Sequence, residues 1–145
     1  MKEAFHIVPV GVMRKGGESA SVEIFEEFKE GLLGLEGFSH IHVLCWFHES
    51  DSKAKRATLQ VHPRGDRRNP LTGVFATRSP VRPNPLALYT CRIHAIHGNR
   101  IHIDSMDALD GTPVIDIKPY IPENDAVSEA RVPNWVRRER EGQDP

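Results

Sequence analysis

Two arginines stand on a stretch of chain that prolines make rigid. Residues 73–88 read GVFATRSPVRPNPLAL and carry Arg78 and Arg82 together with Asn84. The prolines, at positions 80, 83 and 85, fix φ and push the residues before them towards extended geometry, which excludes helix from 79 to 85. Two guanidinium groups on a pre-ordered backbone suit a carboxylate, a phosphate or the polar edge of a nucleoside. The equally weighted alternative is a rigid linker whose arginines are solvated.

A second polar stretch, residues 107–120, reads DALDGTPVIDIKPY and combines an acidic turn with a strand. Asp116, Lys118 and Tyr120 alternate with apolar residues, so they share one face of that strand. A plain surface ion pair between Asp116 and Lys118 is the simpler interpretation of this stretch alone. With His48 and Glu49, the basic and acidic stretches could line a pocket for a ligand that bears both charges. An amino acid, a nucleotide and S-adenosylmethionine all fit, and the residues do not choose among them.

Composition sets the limits of the molecule. The chain has 145 residues, 39% hydrophobic and 27% charged, which is enough for one globular domain with a single core. A net charge of -1 places any contact with nucleic acid on a local patch. The sequence has two small basic clusters: Arg64, Arg67 and Arg68, and, near the C-terminus, Arg137, Arg138 and Arg140. Clusters of this size are more often solvated surfaces than binding sites.

Neither the cysteines nor the histidines indicate a metal site. Cys45 and Cys91 lie in apolar runs without a CxxC partner, which predicts buried, reduced thiols. The histidines at 40, 42, 94, 97 and 102 lack a closing carboxylate or thiol at ligand spacing, so exposed or hydrogen-bonded histidines are favoured. No apolar run is long enough to span a membrane, and no secretory signal precedes the domain. These features predict a cytoplasmic protein.

Hydrophobic periodicity predicts a mainly β fold. Alternating or β-branched runs predict strands at 5–12, 20–25, 40–48, 58–62, 72–78, 86–96, 100–106 and 113–118, and one short helix begins at Glu26. Together they favour a single-sheeted antiparallel β-barrel of about seven strands, since closure removes exposed sheet edges. Nucleotide-binding glycine loops and the serine-hydrolase elbow are absent. Between 86–96 and 100–106, we predict a three-residue loop, His97 to Asn99, with Asn99 in the left-handed region, because it pairs Ile93 with Ile103 and Ala95 with Ile101.

Several motifs together resemble the TsaA/TrmO family. They are Pro9-Val-Gly11, Leu33 to His40, Phe47-His-Glu49, Gly73 to Pro85 and Asp107 to Pro122, in family order over residues 7 to 122. The resemblance implies a β-barrel domain over residues 1–122 that works as a homodimer and binds S-adenosylmethionine without a Rossmann domain. It leaves residues 123–145 as a C-terminal tail that packs on the dimer partner. It also implies methyl transfer to the exocyclic nitrogen of N6-threonylcarbamoyladenosine at position 37, in the tRNA anticodon loop.

The resemblance also implies roles for individual residues. The cofactor contacts carried over by motif are His48, Glu49, Arg78, Leu88, Asp107, Ala108, Leu109 and Asp110. On the acceptor side, the candidates are Arg82, Asn84, Lys118 and Tyr120, and Arg64, Arg67 and Arg68 are candidates for holding backbone phosphates. The proton of the acceptor nitrogen would go to Asp116 or to the substrate's own carboxylate. Asn84 and Asp116 are therefore the catalytic candidates.

Two departures from the family pattern lie near these residues. The segment after the first strand is short, Arg14-Lys-Gly-Gly-Glu18, and Ala87 stands where a glycine is frequent. They keep two alternatives open: a methyltransferase of a small metabolite, and a non-catalytic S-adenosylmethionine-binding module.

Overall fold

A computed structural model describes residues 3–104 and 106–138 of the protein. The chain forms two compact units. The first contains the residues up to His48 together with Leu86–Tyr120, and the second contains Glu49–Pro85 together with the residues from Ile121 onward. The first unit is a closed β-barrel, and the second holds short helices and one pair of two-residue strands.

Six antiparallel strands close the barrel, which confirms the predicted fold class. In chain order the strands are β1 (Gly11–Gly16), β2 (Ser19–Ile24), β3 (His40–Trp46), β4 (Gln60–Val61), β5 (Thr72–Gly73), β6 (Leu86–His97), β7 (Arg100–Ile103) and β8 (Pro113–Pro119). The order around the barrel is β1-β2-β7-β6-β3-β8, and β8 pairs with β1 to close it. Strands β4 and β5 pair with each other in the second unit.

The period-two pattern of β3 decides which side chains enter the barrel. Ile41, Val43 and Cys45 are fully buried, while His40 and Trp46, at the two ends of the strand, are half-buried on the outside. The other strands complete the core with Met13, Val22, Ile101 and Val114, all fully buried. The same alternation places the polar residues of β3, β6 and β8 on the outer surface of the barrel.

Several predicted strands are longer than the structure shows. Residues 5–12 were predicted as one strand, but the regular part begins at Gly11, and Phe5 and Val8 are exposed. Pro9 has no N–H to donate, and the chain first joins the barrel at Val10, whose N–H donates to the Val114 carbonyl at 2.8 Å. The predicted strands at 58–62 and 72–78 shrink to two residues each.

The predicted helix after β2 is a pair of 3-10 turns. They span Glu26–Leu32 and Leu35–Gly37, and Gly34, with φ of 90°, separates them. The described residues of the second unit form three short α-helices: α1 (Lys53–Ala57), α2 (Pro122–Asp125) and α3 (Asn134–Arg137). None of them was predicted, because a helix of four or five residues is too short to show a hydrophobic period.

The hairpin between β6 and β7 corrects one prediction and confirms another. Ile93 pairs with Ile103, as predicted, but His97 pairs with Arg100, so the turn contains two residues, Gly98 and Asn99. A register shift between Ile93 and Ala95 absorbs the difference. Gly98 carries the positive φ of 60° in place of Asn99, whose Nδ2 instead donates to the Ile24 carbonyl at 2.7 Å.

Gly11 occupies the point where β1 meets both β2 and β8. A Cβ added there would lie 2.4 Å from the Glu23 carbonyl oxygen, and that oxygen belongs to the backbone of a paired strand. We therefore expect Gly11→Ala to lower the free energy of unfolding by about 1–3 kcal/mol, measured in urea. Gly16→Ala is the matched control in the same strand, because its Cβ meets no atom within 4 Å. Equal stabilities for the two variants would contradict this.

The two cysteines are buried inside the barrel wall. Desolvation raises the pKa of Cys45 to about 12 and that of Cys91 to about 11, from an ordinary 9.0. Because unfolded thiols ionise first as the pH rises, native stability should fall above pH 9 and continue to fall to about pH 11–12. We expect iodoacetamide at pH 8 to leave both thiols unmodified in the native protein and to label both in urea, as read by mass spectrometry. Rapid labelling of the native protein would contradict their burial.

Candidate functional site

The loop before β8 carries four of the predicted cofactor contacts and is fixed to the barrel. Asp107, Leu109 and Asp110 are exposed, whereas Ala108 is buried in the core. The Tyr89 hydroxyl donates to the Asp107 carbonyl at 3.1 Å, and the Leu109 carbonyl accepts from the Thr112 hydroxyl at 2.7 Å. These bonds anchor the loop and leave the Asp107 carboxylate with no hydrogen bond or ion pair within the described residues.

Lys15 is a residue of this region that sequence reasoning missed. Its main-chain N–H donates to Asp110 Oδ1 at 2.8 Å, and its Nζ donates to the Met106 carbonyl at 2.9 Å. The end of β1, which the sequence predicted to be loop from Arg14 onward, therefore reaches the loop that the resemblance assigns to the cofactor. A lysine at the end of a strand carries little sequence signal, since lysines at strand ends are ordinary surface residues.

One row of residues on the outer face of the barrel joins a predicted cofactor contact to a predicted catalytic residue. Leu88 of β6 pairs with Leu44 of β3, and Leu44 pairs with Asp116 of β8. Neighbouring strands lie about 4.8 Å apart, so Leu88 and Asp116 are separated by about 10 Å across Leu44. Leu88 is 48% exposed, and the Asp116 side chain is 50% exposed. Both are open to a molecule lying on this face.

The Asp116 carboxylate is held in position by its two neighbours on β8. Its Oδ1 accepts from the Ile117 N–H at 2.9 Å, and its Oδ2 lies 3.4 Å from Lys118 Nζ. The predicted pair of Asp116 and Lys118 therefore forms, as a half-exposed ion pair of small energetic value.

Lys118 and Tyr120, both predicted on the acceptor side, extend the same outer face. Lys118 pairs with His42 of β3, and the Tyr120 N–H donates to the His40 carbonyl at 3.0 Å. The Tyr120 ring meets the His42 ring edge to face, with centroids 5.3 Å apart. The structure thus brings Leu88, Asp116, Lys118 and Tyr120 onto one surface of the first unit.

An open cavity of about 650 Å³ lies in the first unit beside β8. Asp116 lines it, and the remaining walls are mostly apolar. Those walls include Val10, Ile24, Phe28, Leu32, Leu35, Phe38, Ile117 and Pro119. None of the predicted cofactor contacts lines this cavity.

The proline-rich loop of the second unit is fixed by its own polar groups. Arg82 Nη1 donates to the carbonyls of Thr77 and Ser79, both at 3.1 Å. The Ser79 hydroxyl accepts from the Val81 N–H at 3.2 Å. Arg78, in contrast, is exposed and makes no hydrogen bond or ion pair with a described residue. The two arginines therefore differ: Arg82 braces the loop, and Arg78 is available to a ligand.

Arg56, from α1, holds the tip of this loop and was missed by sequence reasoning. Its Nε donates to the Pro83 carbonyl at 2.8 Å, its Nη2 donates to Asn84 Oδ1 at 3.4 Å, and its Nη1 donates to Asp51 at 3.1 Å. These hydrogen bonds orient the Asn84 side chain. The role of Arg56 could have been predicted only if α1 had been predicted too, since its contacts lie 27 and 28 residues further along the chain.

The three arginines proposed for phosphates have different surroundings within the second unit. The Arg64 guanidinium donates to the carbonyls of Trp135, Val136 and Arg138 and lies 5.7 Å from the centre of the Trp135 ring. Arg68 pairs with Asp66 at 2.6 Å and lowers the pKa of that carboxyl to about 2. Arg67 is exposed, with no partner in the described part of the chain.

His48 and Glu49 begin the 3-10 turn His48–Ser50, and both side chains are exposed. Residues 3–104 and 106–138 hold no group of three or more potential ligands placed to bind a metal ion. Within the same ranges, no helix has the length and apolar character needed to cross a membrane.

Comparison with known proteins gives this arrangement a family. The model of the tRNA-methyltransferase O N-terminal domain matches residues 5–126. A probable S-adenosyl-L-methionine-binding protein of Methanocaldococcus jannaschii is 53% identical over 116 residues, which cover 80% of this chain and 92% of that protein. The human tRNA (adenine(37)-N6)-methyltransferase is 42% identical over 103 residues, covering 71% of this chain and 23% of the human protein.

A solved structure agrees. TrmO from Pseudomonas aeruginosa superposes with a TM-score of 0.73 at 30% identity, over 93% of this chain and 63% of that chain. The chain thus spans nearly the whole archaeal relative, under two thirds of the bacterial one and about a quarter of the human one. The chain belongs to the family of the tRNA-methyltransferase O N-terminal domain.

Proposed function

We propose that this protein is an S-adenosylmethionine-dependent methyltransferase that methylates N6 of N6-threonylcarbamoyladenosine at position 37, in the anticodon loop of tRNA. The observation that carries the proposal is the family match over residues 5–126. Two relatives support its two halves: one is named for binding S-adenosyl-L-methionine, and the other for methylating N6 of adenine 37 in tRNA.

The donor set suits the cofactor chemically. S-adenosylmethionine supplies an activated methyl group on a positively charged sulfur, together with a carboxylate, an ammonium group and an adenosine. Arg78 and Asp107 have no side-chain partner among the described residues; Arg78 offers its guanidinium to a carboxylate, and Asp107 offers its carboxylate to an ammonium or a ribose hydroxyl. Leu88 and Leu109 are exposed apolar side chains, 48% and 55% accessible, suited to an adenine ring. In the first unit, Asp107, Leu88 and Leu109 thus suit the ammonium group, the ribose and the adenine, and in the second unit Arg78 suits the carboxylate.

On the acceptor side, the protein has to position a nitrogen and accept its proton. Methyl transfer is an in-line displacement, so most of the catalytic effect comes from orientation. Asp116 is the general base of this proposal, because it lies on the Leu88 row and its carboxylate is held by the Ile117 N–H. The target base lies in a single-stranded loop, where it can be turned out without opening a duplex.

The assembly and the location remain proposals. The family resemblance supports a homodimer, with residues 1–122 as the family domain that contains the barrel and 123–145 as a tail. A cytoplasmic location is proposed from the sequence features given above. Within the described part of this tail, Trp135, Val136 and Arg138 accept hydrogen bonds from Arg64 of the same chain. Sedimentation equilibrium tests the homodimer directly. A monomer throughout the micromolar concentration range would contradict it.

The proposed activity is tested with labelled S-adenosylmethionine and bulk tRNA from a strain lacking this gene, followed by nucleoside analysis. We expect label in one modified adenosine. Cofactor binding without label in tRNA would contradict the proposal. In that case, turnover on an extract of small metabolites would indicate a metabolite methyltransferase, and no turnover would indicate a binding module.

A further inference from the structure

The outer surface of β3, β6 and β8 carries a cluster of basic and aromatic side chains that the proposed cofactor site does not use. We call it the basic sheet face and define it as Arg92, His40, His42, Lys118 and Tyr120. We infer that this face binds the single-stranded RNA on one side of the target adenosine; this inference rests on the proposed function. The residues it adds to the acceptor side are Arg92, His40 and His42.

Strand register places these side chains in two adjacent rows. In the first row, Arg92 of β6 pairs with His40 of β3, whose carbonyl accepts from the Tyr120 N–H. In the second row, His42 of β3 pairs with Lys118 of β8, and its Nδ1 lies 3.0 Å from the Thr90 hydroxyl of β6. Because directly paired residues project from the same face of a sheet, the five side chains form one continuous surface.

The chemistry of the face is that of a platform for unpaired bases. Three aromatic rings lie together: the Tyr120 centroid is 5.3 Å from that of His42 and 6.2 Å from that of His40. Rings of this kind on a sheet surface stack with bases of any sequence, and neighbouring cations hold the phosphates between them. A duplex would keep its base faces stacked inside and could not use the rings.

The charged groups on and around the face allow it to bind only a few phosphates. The Arg92 guanidinium is exposed and has no hydrogen bond or ion pair within the described residues. Lys118 is paired with Asp116, and Asp104 accepts from the Arg92 N–H at 3.0 Å, so two carboxylates border the face. Arg92 can therefore bind a phosphate without breaking an existing ion pair. Because few cations are free on this face, the affinity for RNA should depend only weakly on salt concentration.

The position of the face relative to the Leu88 row argues for this occupant. The second row, Thr90, His42 and Lys118, lies two residues along each strand from the row Leu88, Leu44 and Asp116. Two residues of a strand span about 6.6 Å, roughly the spacing of consecutive nucleotides in an extended strand. A target base beside Asp116 would thus place the nucleotides on one side of it on the basic sheet face.

The test is equilibrium binding of an anticodon stem-loop RNA by Arg92→Ala and Tyr120→Leu, across a salt series. We expect Arg92→Ala to reduce the slope of log affinity against log salt by about 0.7, the value for one phosphate of a single strand. Tyr120→Leu should weaken binding by about fivefold or more with an unchanged slope, because it removes a stacking surface. Both variants should keep the wild-type Kd for S-adenosylmethionine, which also shows that they fold.

Arg100→Ala is the matched control, because Arg100 lies on β7, outside the face, and pairs with Glu23 at 3.1 Å. Wild-type RNA affinity and slope in both test variants would overturn the inference, as would a change of oligomeric state with RNA binding intact. Equal competition by double-stranded RNA would also overturn it. If the wild type binds the stem-loop through this face but transfers no methyl group, the inference stands and the proposed activity fails.

Discussion

We expect Asp116→Asn to lower kcat for methyl transfer to tRNA by about 10²- to 10⁴-fold, the usual contribution of a positioned general base. The acceptor nitrogen loses its proton as the methyl group arrives, and an amide cannot take that proton. An asparagine carbonyl can still accept from the Ile117 N–H, as Asp116 Oδ1 does at 2.9 Å, so the local strand should be unchanged. Single-turnover rates with labelled S-adenosylmethionine measure the loss, and the Kd for the cofactor should stay at its wild-type value.

Asp125→Asn is the matched control for this variant. Asp125 also accepts a hydrogen bond from a nearby main-chain N–H, that of Ile121 at 2.8 Å, but it lies outside the candidate site. We expect this control to keep the wild-type rate. If Asp116→Asn keeps it as well, the proton goes to the substrate's own carboxylate, and Asp116 is not the base.

The second large effect is expected at the cofactor. Arg78→Ala should raise the Kd for S-adenosylmethionine by about 10- to 100-fold, because it removes charge-assisted hydrogen bonds to the ligand carboxylate. Arg78 is exposed and has no partner among the described residues, so the substitution should leave folding unaffected. Isothermal titration calorimetry measures the change.

Arg131→Ala controls for the loss of one positive charge from the same unit. Arg131 is exposed and likewise has no hydrogen bond or ion pair in the part of the chain that the structure describes. Its removal should leave the Kd unchanged. A folded Arg78→Ala variant with wild-type affinity would remove Arg78 from the cofactor site.

The sequence was sufficient to predict the β-barrel, because the alternation within each strand is the pattern that a closed sheet with an apolar interior requires. The alternation of β3 identified its buried face correctly, since each inward residue is apolar and fully buried, and each outward residue is only half-buried. The helix after β2 was placed correctly, but it is two 3-10 turns and not one continuous helix. Apolar spacing of three and four residues fits an α-helix and a 3-10 helix almost equally, and Gly34 interrupts the run.

The hairpin shows how a sound argument can reach a wrong turn. Pairing Ile93 with Ile103 was correct, and a uniform register then required a three-residue loop. The structure instead uses a two-residue turn and a register shift between Ile93 and Ala95. A bulge leaves no reliable mark in a single sequence, because it depends on how two strands twist around the barrel.

The sequence predicted individual residues of the candidate site, but it did not predict which of them lie next to each other. Motifs gave Leu88 and Asp116, but only strand pairing showed that Leu44 joins them in one row. Lys15 and Arg56 were missed because both act on main-chain carbonyls far away in sequence, at Met106 and at Pro83. Contacts of this kind are set by the tertiary fold and cannot be predicted from residue type alone.

The most direct test uses two preparations of one tRNA, with and without the threonylcarbamoyl group on adenosine 37, each incubated with the protein and labelled S-adenosylmethionine. Nucleoside analysis then locates the label. The proposed function predicts a methyl group on N6 of the modified adenosine and no label in the unmodified tRNA. Equal labelling of the two, or no label in either when the cofactor is bound, would contradict it.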